Sequence, residues 1–415
     1  MPNIGSPPEL ASIEVAPEMN FELVHEPLVA IESHVCIART HRSEVVRMLE
    51  NAATDPDLAN RYMRMFYLFQ GTQQDEFSLD MQAKALSLRS TYRLQTHTTE
   101  PAIRLLALCA AGDMRENLPL DYLIEHQAIQ LELLYILPDQ PPPLQLPDHD
   151  VAMVAMGYSK NNTPLLQTLC NWAAHWPKPL LNHPAWIPYC ERERAYQTLK
   201  HIPGLIIASQ EKWTRHALLS LAKDPDPARG LGHWPTPFTL RPSELHAGIG
   251  FEKISNAKEF ELYLNQNPQE EFYASPYIDT QGEDGLYRKF RLSLIQGLPY
   301  VSHLAISEHW VVHYKSAQME FNEDKKREEL LFMQHFEDNI AKPFEHIFQE
   351  IHRLIPLDYW VLDCALSKKG ELIVFELDNS AWVHDTDSEE LFPYKKAVMQ
   401  KTFTAFYQML IERVR

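Results

Sequence analysis

Cysteine is scarce and unpatterned in this chain of 415 residues. Cys36, Cys109, Cys170, Cys190 and Cys364 stand apart with no CxxC spacing. That argues against a disulfide framework and for reduced, mostly buried thiols in a cytoplasmic protein. Glycine is sparse too, with 13 residues and no GxGxxG run, so the dinucleotide-binding turn is missing. No stretch of about 18 apolar residues occurs, so no membrane span is expected. The first residues lack a basic region followed by an apolar core, so no secretory signal is expected. Positive charge is in deficit: 38 Lys and Arg against 56 Asp and Glu give a formal net charge of −18. That speaks against a general nucleic-acid or anionic-membrane partner, while leaving room for a local basic pocket. No Ser-His-Asp or Cys-His pattern marks a protein nucleophile.

What is present is a globular chain. Apolar residues make up 45%, and the length suits two to four domains. Residues 1 to about 40 are Pro-rich and suggest a loosely ordered arm with room for short strands. From about His41 to Leu94, SEVVRMLENAA, DLANRYMRMFYLF and SLDMQAKALSLRSTYRL place apolar residues at helical spacing. Ser43 and Ser78 are candidate N-caps. The last two segments suggest a helical hairpin of tetratricopeptide kind, without a repeat. From Ala102 the texture alternates. AIRLLALCA, QLELLYIL and DVAMVAMGY read as buried strands and NTPLLQTLCNWAAHW as a helix, which predicts a mainly parallel sheet with GYSKNN at a ligand-facing strand end. From Tyr189 a second region reads as helix ERERAYQTLKHI, strand-loop-strand PTPFTLRPSELHAGIGFEKIS, helix NAKEFELYLNQ and an antiparallel hairpin turning at Gln296-Gly297.

The segment richest in chemistry is LDYWVLDCALSKKGELIVFELDNSAWVHDTD, Leu357 to Asp387. It reads as a hairpin with strands at about 359–366 and 372–378. A symmetric turn pairs Leu366 with Ile373 and sets Asp363 opposite Glu376, with Asp378 on the same face. The opposite face then carries Leu362, Cys364, Leu366, Ile373, Phe375 and Leu377. Like charges facing one another cost stability. A cation among them relieves it, and hard carboxylate oxygens suit Mg²⁺ held together with substrate phosphates. Asp385 and Asp387 either extend this site or cap a turn. In an acidic protein, Arg288, Lys289 and Arg291 cluster on one strand.

This order of elements resembles the ATP-grasp superfamily of carboxylate–amine ligases, over about Ala102 to the C-terminus. It looks closest to a bacterial branch with a helical, tetratricopeptide-like N-terminal part. The resemblance implies an α+β and α/β architecture in three parts. They are an N-terminal arm and helical region (1–100), a Rossmann-like pre-ATP-grasp domain (101–190) and an ATP-grasp domain (191–415) with subdomains at about 191–270 and 271–415. It implies ATP and Mg²⁺ as cofactors. The metal ligands would be Asp363, Glu376 and Asp378, the last standing where the family has Asn. Arg241, with Gly248 and Gly250 following, matches the position of a phosphate-gripping Lys. An earlier cation would be Arg192 or Arg194, of which Arg194 is assigned to the nucleotide. Arg241, Lys289 and Arg291 would carry the catalytic charge. His303 and His313 match recurring positions, and Glu271 and Tyr277 fall on the adenine hinge. The implied activity is amide or peptide bond formation through an acylphosphate. Its substrate would be a small amino acid or a peptide bearing a carboxylate, with an amine as acceptor, and natural-product or peptide-modification biosynthesis is among the settings the resemblance implies. A nucleotide-binding scaffold without turnover and an ATP-dependent phosphotransferase are the rival readings. Dimers are common in that family, so a homodimer is among the options, with no nucleic-acid or membrane partner.

Overall fold

The computed structural model describes residues 19–25, 28, 30–72, 74–95, 100–138, 140–141, 143–222, 236–243, 248–314 and 316–415. Residues 1–18, 26–27 and 29 of the arm expected over 1 to about 40 lie outside them, as does 244–247 of the Gly248 loop. Short strands do form nearby. Glu22–Val24 pairs in parallel with Gln145–Pro147, and Ala30–Ile31 with Thr91–Leu94.

Three helices follow, Arg42–Ala53, Leu58–Gly71 and Asp75–Leu86. The second starts at Asp57, whose carboxylate accepts from the Asn60 amide at 2.9 Å, a satisfied N-cap. The expected caps Ser43 and Ser78 are not used as such. Helix 42–53 is capped at His41, and Ser78 is buried one turn inside its helix, bonded to Gln70. The third helix also stops at Leu86 rather than running to Leu94. Beyond it TYRL switches to period two, with Tyr92 and Leu94 buried, and joins a sheet as strand Thr91–Leu94.

That sheet has six strands in the order Ala30–Ile31, Thr91–Leu94, Ile129–Ile136, Ile103–Ala110, Val151–Val154 and Leu180–Leu181. Every pairing is parallel except that of Thr91–Leu94 with Ile129–Ile136. The continuous apolar runs of the central strands are buried on both faces, as a covered parallel sheet demands.

A four-stranded antiparallel sheet follows, in the order Glu211–Thr214, Glu271–Pro276, Phe238–Pro242, Glu252–Ile254. Helix Ala257–Gln266 supplies Phe260, Tyr263 and Leu264 to a small core with Leu218, Phe238, Leu240 and Phe272. The last sheet has five strands in the order Leu298–Ser307, Tyr287–Ile295, Tyr359–Leu366, Leu372–Asp378, Leu205–Ile207, with only the final pair parallel. Its first hairpin turns at Gln296 and Gly297, both at positive φ (48° and 82°), the backbone a two-residue turn requires. Helices Glu323–Gln334 and Glu345–Leu354 follow, around a π turn, Glu337–Ala341. Helix Lys395–Val414 closes the chain, burying Met399, Phe403, Phe406 and Leu410. Among the described residues, no helix is long and apolar enough to cross a membrane.

The carboxylate hairpin departs from the symmetric register. Leu366 pairs with Leu372, one residue tighter than expected, which by itself would set Asp363 opposite Phe375. A bulge intervenes: Phe375 is the extra residue, and Asp363 again faces Glu376. The apolar face therefore carries Leu362, Cys364, Leu372, Val374 and Leu377, while Ile373 moves to the carboxylate side and Leu366 is 39% exposed. A one-residue slip reverses every side chain of a strand, so the bulge decides which way Glu376 points. A second irregularity falls between Arg291 and Leu292 in the neighbouring pair. Both lie at the level of Asp363, where bulges re-aim side chains.

Candidate active site

Lys289 and Arg291 stand two apart on one strand and so share a face. Arg291 is the direct cross-strand partner of Asp363. Its Nε and Nη2 donate to the two Asp363 oxygens at 2.8 and 3.1 Å, and Lys289 Nζ donates to Oδ2 at 2.9 Å. Asp363 is 4% exposed. Burial alone would raise its pKa, but the charges of Arg291 and Lys289 override this and hold it well below the usual carboxylate range. Arg288, on the opposite face, pairs with Asp284 and Glu328 and takes no part.

Glu376 is approached by Arg192, whose guanidinium donates to Oε1 and, at 3.5 Å, to the Phe375 carbonyl. Burial works against ionisation of Glu376, and the charges of Arg192 and Arg241 outweigh it. Arg241 comes from the other sheet, on strand Phe238–Pro242. Burial, reinforced by Arg192, pulls its pKa down to about 10. Asp378 accepts from the Ser380 amide and hydroxyl at 2.8 and 3.0 Å. Burial and the Glu376 charge push its pKa up. Four cations thus interleave with three carboxylates at the meeting of two sheets. Arg194 does not join them, since it lies over the Tyr189 ring at 5.4 Å. The helix Arg192–Leu199 presents residues two apart to different surroundings, which a sequence window could not rank.

The three carboxylates are not drawn into one nest. Among the described residues, the group of His and acidic residues with ligand atoms all within 4.8 Å is instead Glu125, His126 and Asp385. There Arg39 already bridges Glu125 and Asp385 at 2.8 Å each. Asp387 pairs with Lys395 at 2.8 Å. Asp385 and Asp387 therefore serve ion pairs outside the hairpin cluster.

Not all of the remaining candidates adjoin this cluster. The Gly248 loop reaches Val311, where a Cβ on Gly248 would come within 3.2 Å. Beside it Phe251 packs on Trp310 (4.9 Å) and Tyr277 on Trp310 (5.6 Å), with Lys253 over the Tyr277 ring and Arg241 over Phe251. Phe251, Lys253 and Trp310 escaped the sequence reading. Their only signal was aromatic and basic residues scattered over loops that the fold brings together. Glu271 lies 3.7 Å from Lys160 and 3.6 Å from Lys212, away from the cluster. Lys160 belongs to the GYSKNN loop, whose first residues pack on the end of the carboxylate hairpin. Gly157 packs so tightly on Ser380 that a Cβ would meet its hydroxyl at 2.3 Å, and Asn379 bonds to Tyr158 and Met156. His303 is the cross-strand partner of Arg291. Burial, then the Arg291 charge, drives its pKa well below the usual value, so it is neutral. His313 lies in the loop after Leu298–Ser307, with its carbonyl bonded to Ala317.

Five histidines share that direction: His149, His183, His303, His352 and His384 all have lowered pKa values, with burial the first cause in each. The unfolded chain, with ordinary values near 6.5, takes up these protons first as pH falls. Stability is therefore full above about pH 6.5 and declines below it. Asp378 and Glu329, both raised, act in the opposite sense, but among the described residues they are the only carboxylates that do so. Thermal unfolding scans from pH 8 to 5 are expected to show a flat upper region and a falling Tm below about 6.5. A Tm that holds or rises toward pH 5 would refute this.

No family model matches the sequence, and no curated protein matches it. Solved structures of ATP-grasp proteins are similar to it in fold. The RimK domain protein ATP-grasp from Sphaerobacter thermophilus is 14% identical, covering 73% of this chain and 98% of that one at a TM-score of 0.42. A D-alanine-D-alanine ligase from Coxiella burnetii is 10% identical over 75% and 95% at 0.47. The ATP-grasp ligase PsnB, solved with a variant of its minimal precursor, Mg and ADP, is 11% identical over 76% and 100% at 0.45.

Proposed function

We propose that this chain is an ATP- and Mg²⁺-dependent carboxylate–amine ligase that forms an amide bond through an acylphosphate. The observation that carries this reading is the interleaving of Lys289, Arg291, Arg192 and Arg241 with Asp363, Glu376 and Asp378 between two sheets. A purely acidic nest would hold a metal alone, and a purely basic one an anion alone. Both signs at one place suit a metal–polyphosphate complex. Asp363, Glu376 and Asp378 are the residues that would hold Mg²⁺, whose hard-oxygen preference they meet. Bound there, the ion would neutralise phosphate charge.

In this reading each cation exchanges its carboxylate for a phosphate oxygen as nucleotide enters. Arg241 grips the polyphosphate from the side of the four-stranded sheet, and Arg192 from the helix beside strand Leu372–Asp378. Lys289 and Arg291 lie where charge develops as the γ-phosphoryl passes to the substrate carboxylate. ADP leaves with the electron pair of the broken P–O bond. The amine then attacks the acyl carbon, and phosphate departs as the C–N bond forms. Phe251, Trp310 and Tyr277 offer apolar faces for the base. The substrate is a small amino acid or a peptide.

The test is phosphate release from Mg-ATP with pooled amino acids and peptides, alongside thermal shift with Mg-AMPPNP. Release that requires an added amine supports ligation. Release without one points to phosphotransfer or hydrolysis. If Mg-AMPPNP leaves the melting temperature unchanged, the nucleotide reading itself fails.

A further inference from the structure

Lys395 is a charged residue without an evident reason to be buried. It opens the helix Lys395–Val414, where the macrodipole disfavours a cation, and its side chain is 5% exposed. Its Nζ donates to Asp387 Oδ2 at 2.8 Å and to the Tyr314 hydroxyl, lies 3.5 Å from Glu329, and stands over the rings of Tyr314 (4.0 Å) and Phe392 (4.4 Å). Glu329, fully buried, is fixed by the Leu304 amide (3.1 Å) and the hydroxyls of Tyr314 (3.1 Å) and Tyr394 (2.7 Å). Leu304 is on the strand beside Arg291, and its neighbour His303 packs on Tyr314 with centroids 4.7 Å apart.

The other end of this network reaches Arg291 by a second route. Asp387 ends the segment that starts at Ala381, and Arg291 Nη1 donates to the Trp382 carbonyl of that segment at 3.3 Å. The segment is not at ease by itself. Trp382 Nε1 and Asp385 Oδ2 are both shut from solvent with no hydrogen-bond partner, and unmet buried polar atoms oppose the conformation that buries them. Something must hold it down. Arg39 does so at Asp385, and Lys395 does so at Asp387, the end of the segment farther along the chain from strand Leu372–Asp378.

We propose that Lys395 is a positioning residue: by tying Asp387 to Tyr314 and to Glu329, which the Leu304 amide anchors to the sheet, it keeps the Trp382 carbonyl against Arg291 and so orients that guanidinium for phosphoryl transfer. The proposal rests on the ligase reading for its catalytic part. It requires neither the identity of the substrate nor any titration of Lys395.

Lys395→Met leaves the buried Glu329 and the half-buried Asp387 uncompensated, so loss of folding is a real outcome for that variant. Asp387→Ala cuts only the tie, and Lys395→Arg keeps the charge. Hydrogen exchange followed by mass spectrometry reads the segment directly. For Asp387→Ala, exchange over 380–387 is expected to quicken about tenfold or more, with the 103–110 strand unchanged. Affinity for Mg-AMPPNP should stay within about twofold. Phosphate release from Mg-ATP with the pooled acceptors should lose about tenfold or more in kcat at an unchanged KM for ATP. Lys395→Arg should recover most of both. Unaltered exchange over 380–387 in Asp387→Ala overturns the tie, and a full kcat despite faster exchange overturns the positioning of Arg291. Wild-type protein that binds no Mg-AMPPNP would instead refute the ligase reading and leave the exchange result to decide the tie.

Discussion

Asp363→Ala is expected to destabilise the protein by about 3 kcal/mol or more, independently of any ligand. The carboxylate is 4% exposed and is the shared partner of Lys289 and Arg291, themselves about four-fifths buried. Removing one member of a buried ion cluster leaves the others uncompensated, at roughly 3–5 kcal/mol. The cations here keep some access to solvent, which places the expectation at the lower end. Two like charges would also be left side by side. Urea or thermal unfolding of the ligand-free variant measures this. Added polyphosphate should restore part of the loss by taking the place of the missing anion. A loss under about 1 kcal/mol would mean that the triad is solvated and contributes little.

Glu376→Gln is expected to do the reverse, with a small change in stability and a large one in turnover. Its side chain is 39% exposed, and an ion pair that open is worth about 1 kcal/mol at most. If it is a metal ligand, substitution removes charge stabilisation from the transition state worth several kcal/mol. A loss of about 4 kcal/mol is roughly 10³-fold in rate. Phosphate release with pooled acceptors should therefore fall by about that factor while Tm moves little. Turnover within tenfold of wild type would rule Glu376 out as a ligand and return Asp363 and Asp378 to structural roles. The two substitutions together separate a carboxylate that holds the sheet from one that serves the reaction.

Much of this site was legible because β-strand chemistry is local. Period-two alternation put Lys289 with Arg291 and Asp363 on one face of its strand, and the turn residues fixed where the strands reverse. The pairing of Asp363 with Glu376 was reached from the sequence by a register that is not the one formed. A tighter turn and a bulge at Phe375 arrive at the same opposition, and no pattern in LIVFELD announces the extra residue. Arg192 and Arg194 were indistinguishable in the sequence, because both lie on the first turn of one helix. What separates them is the strand against which that helix packs. The end of helix Asp75–Leu86 was misplaced for a related reason. SLRSTYRL satisfies a helical window until a neighbouring strand offers Tyr92 and Leu94 a sheet to join.

The sequence by itself determined which residue types could meet: strands with one charged and one apolar face, and an acidic chain with a single basic strand. Those properties depend on neighbours a few positions apart, where backbone period alone sets the geometry. The tertiary structure decided the rest. It set Arg192 and Arg241 against Glu376 and brought Phe251 and Trp310 together. It also left Asp378 short of cations and buried Lys395 between Glu329 and Asp387. Each of these is a contact between distant segments, fixed by how whole sheets and helices pack to bury apolar surface, and no local period carries that information.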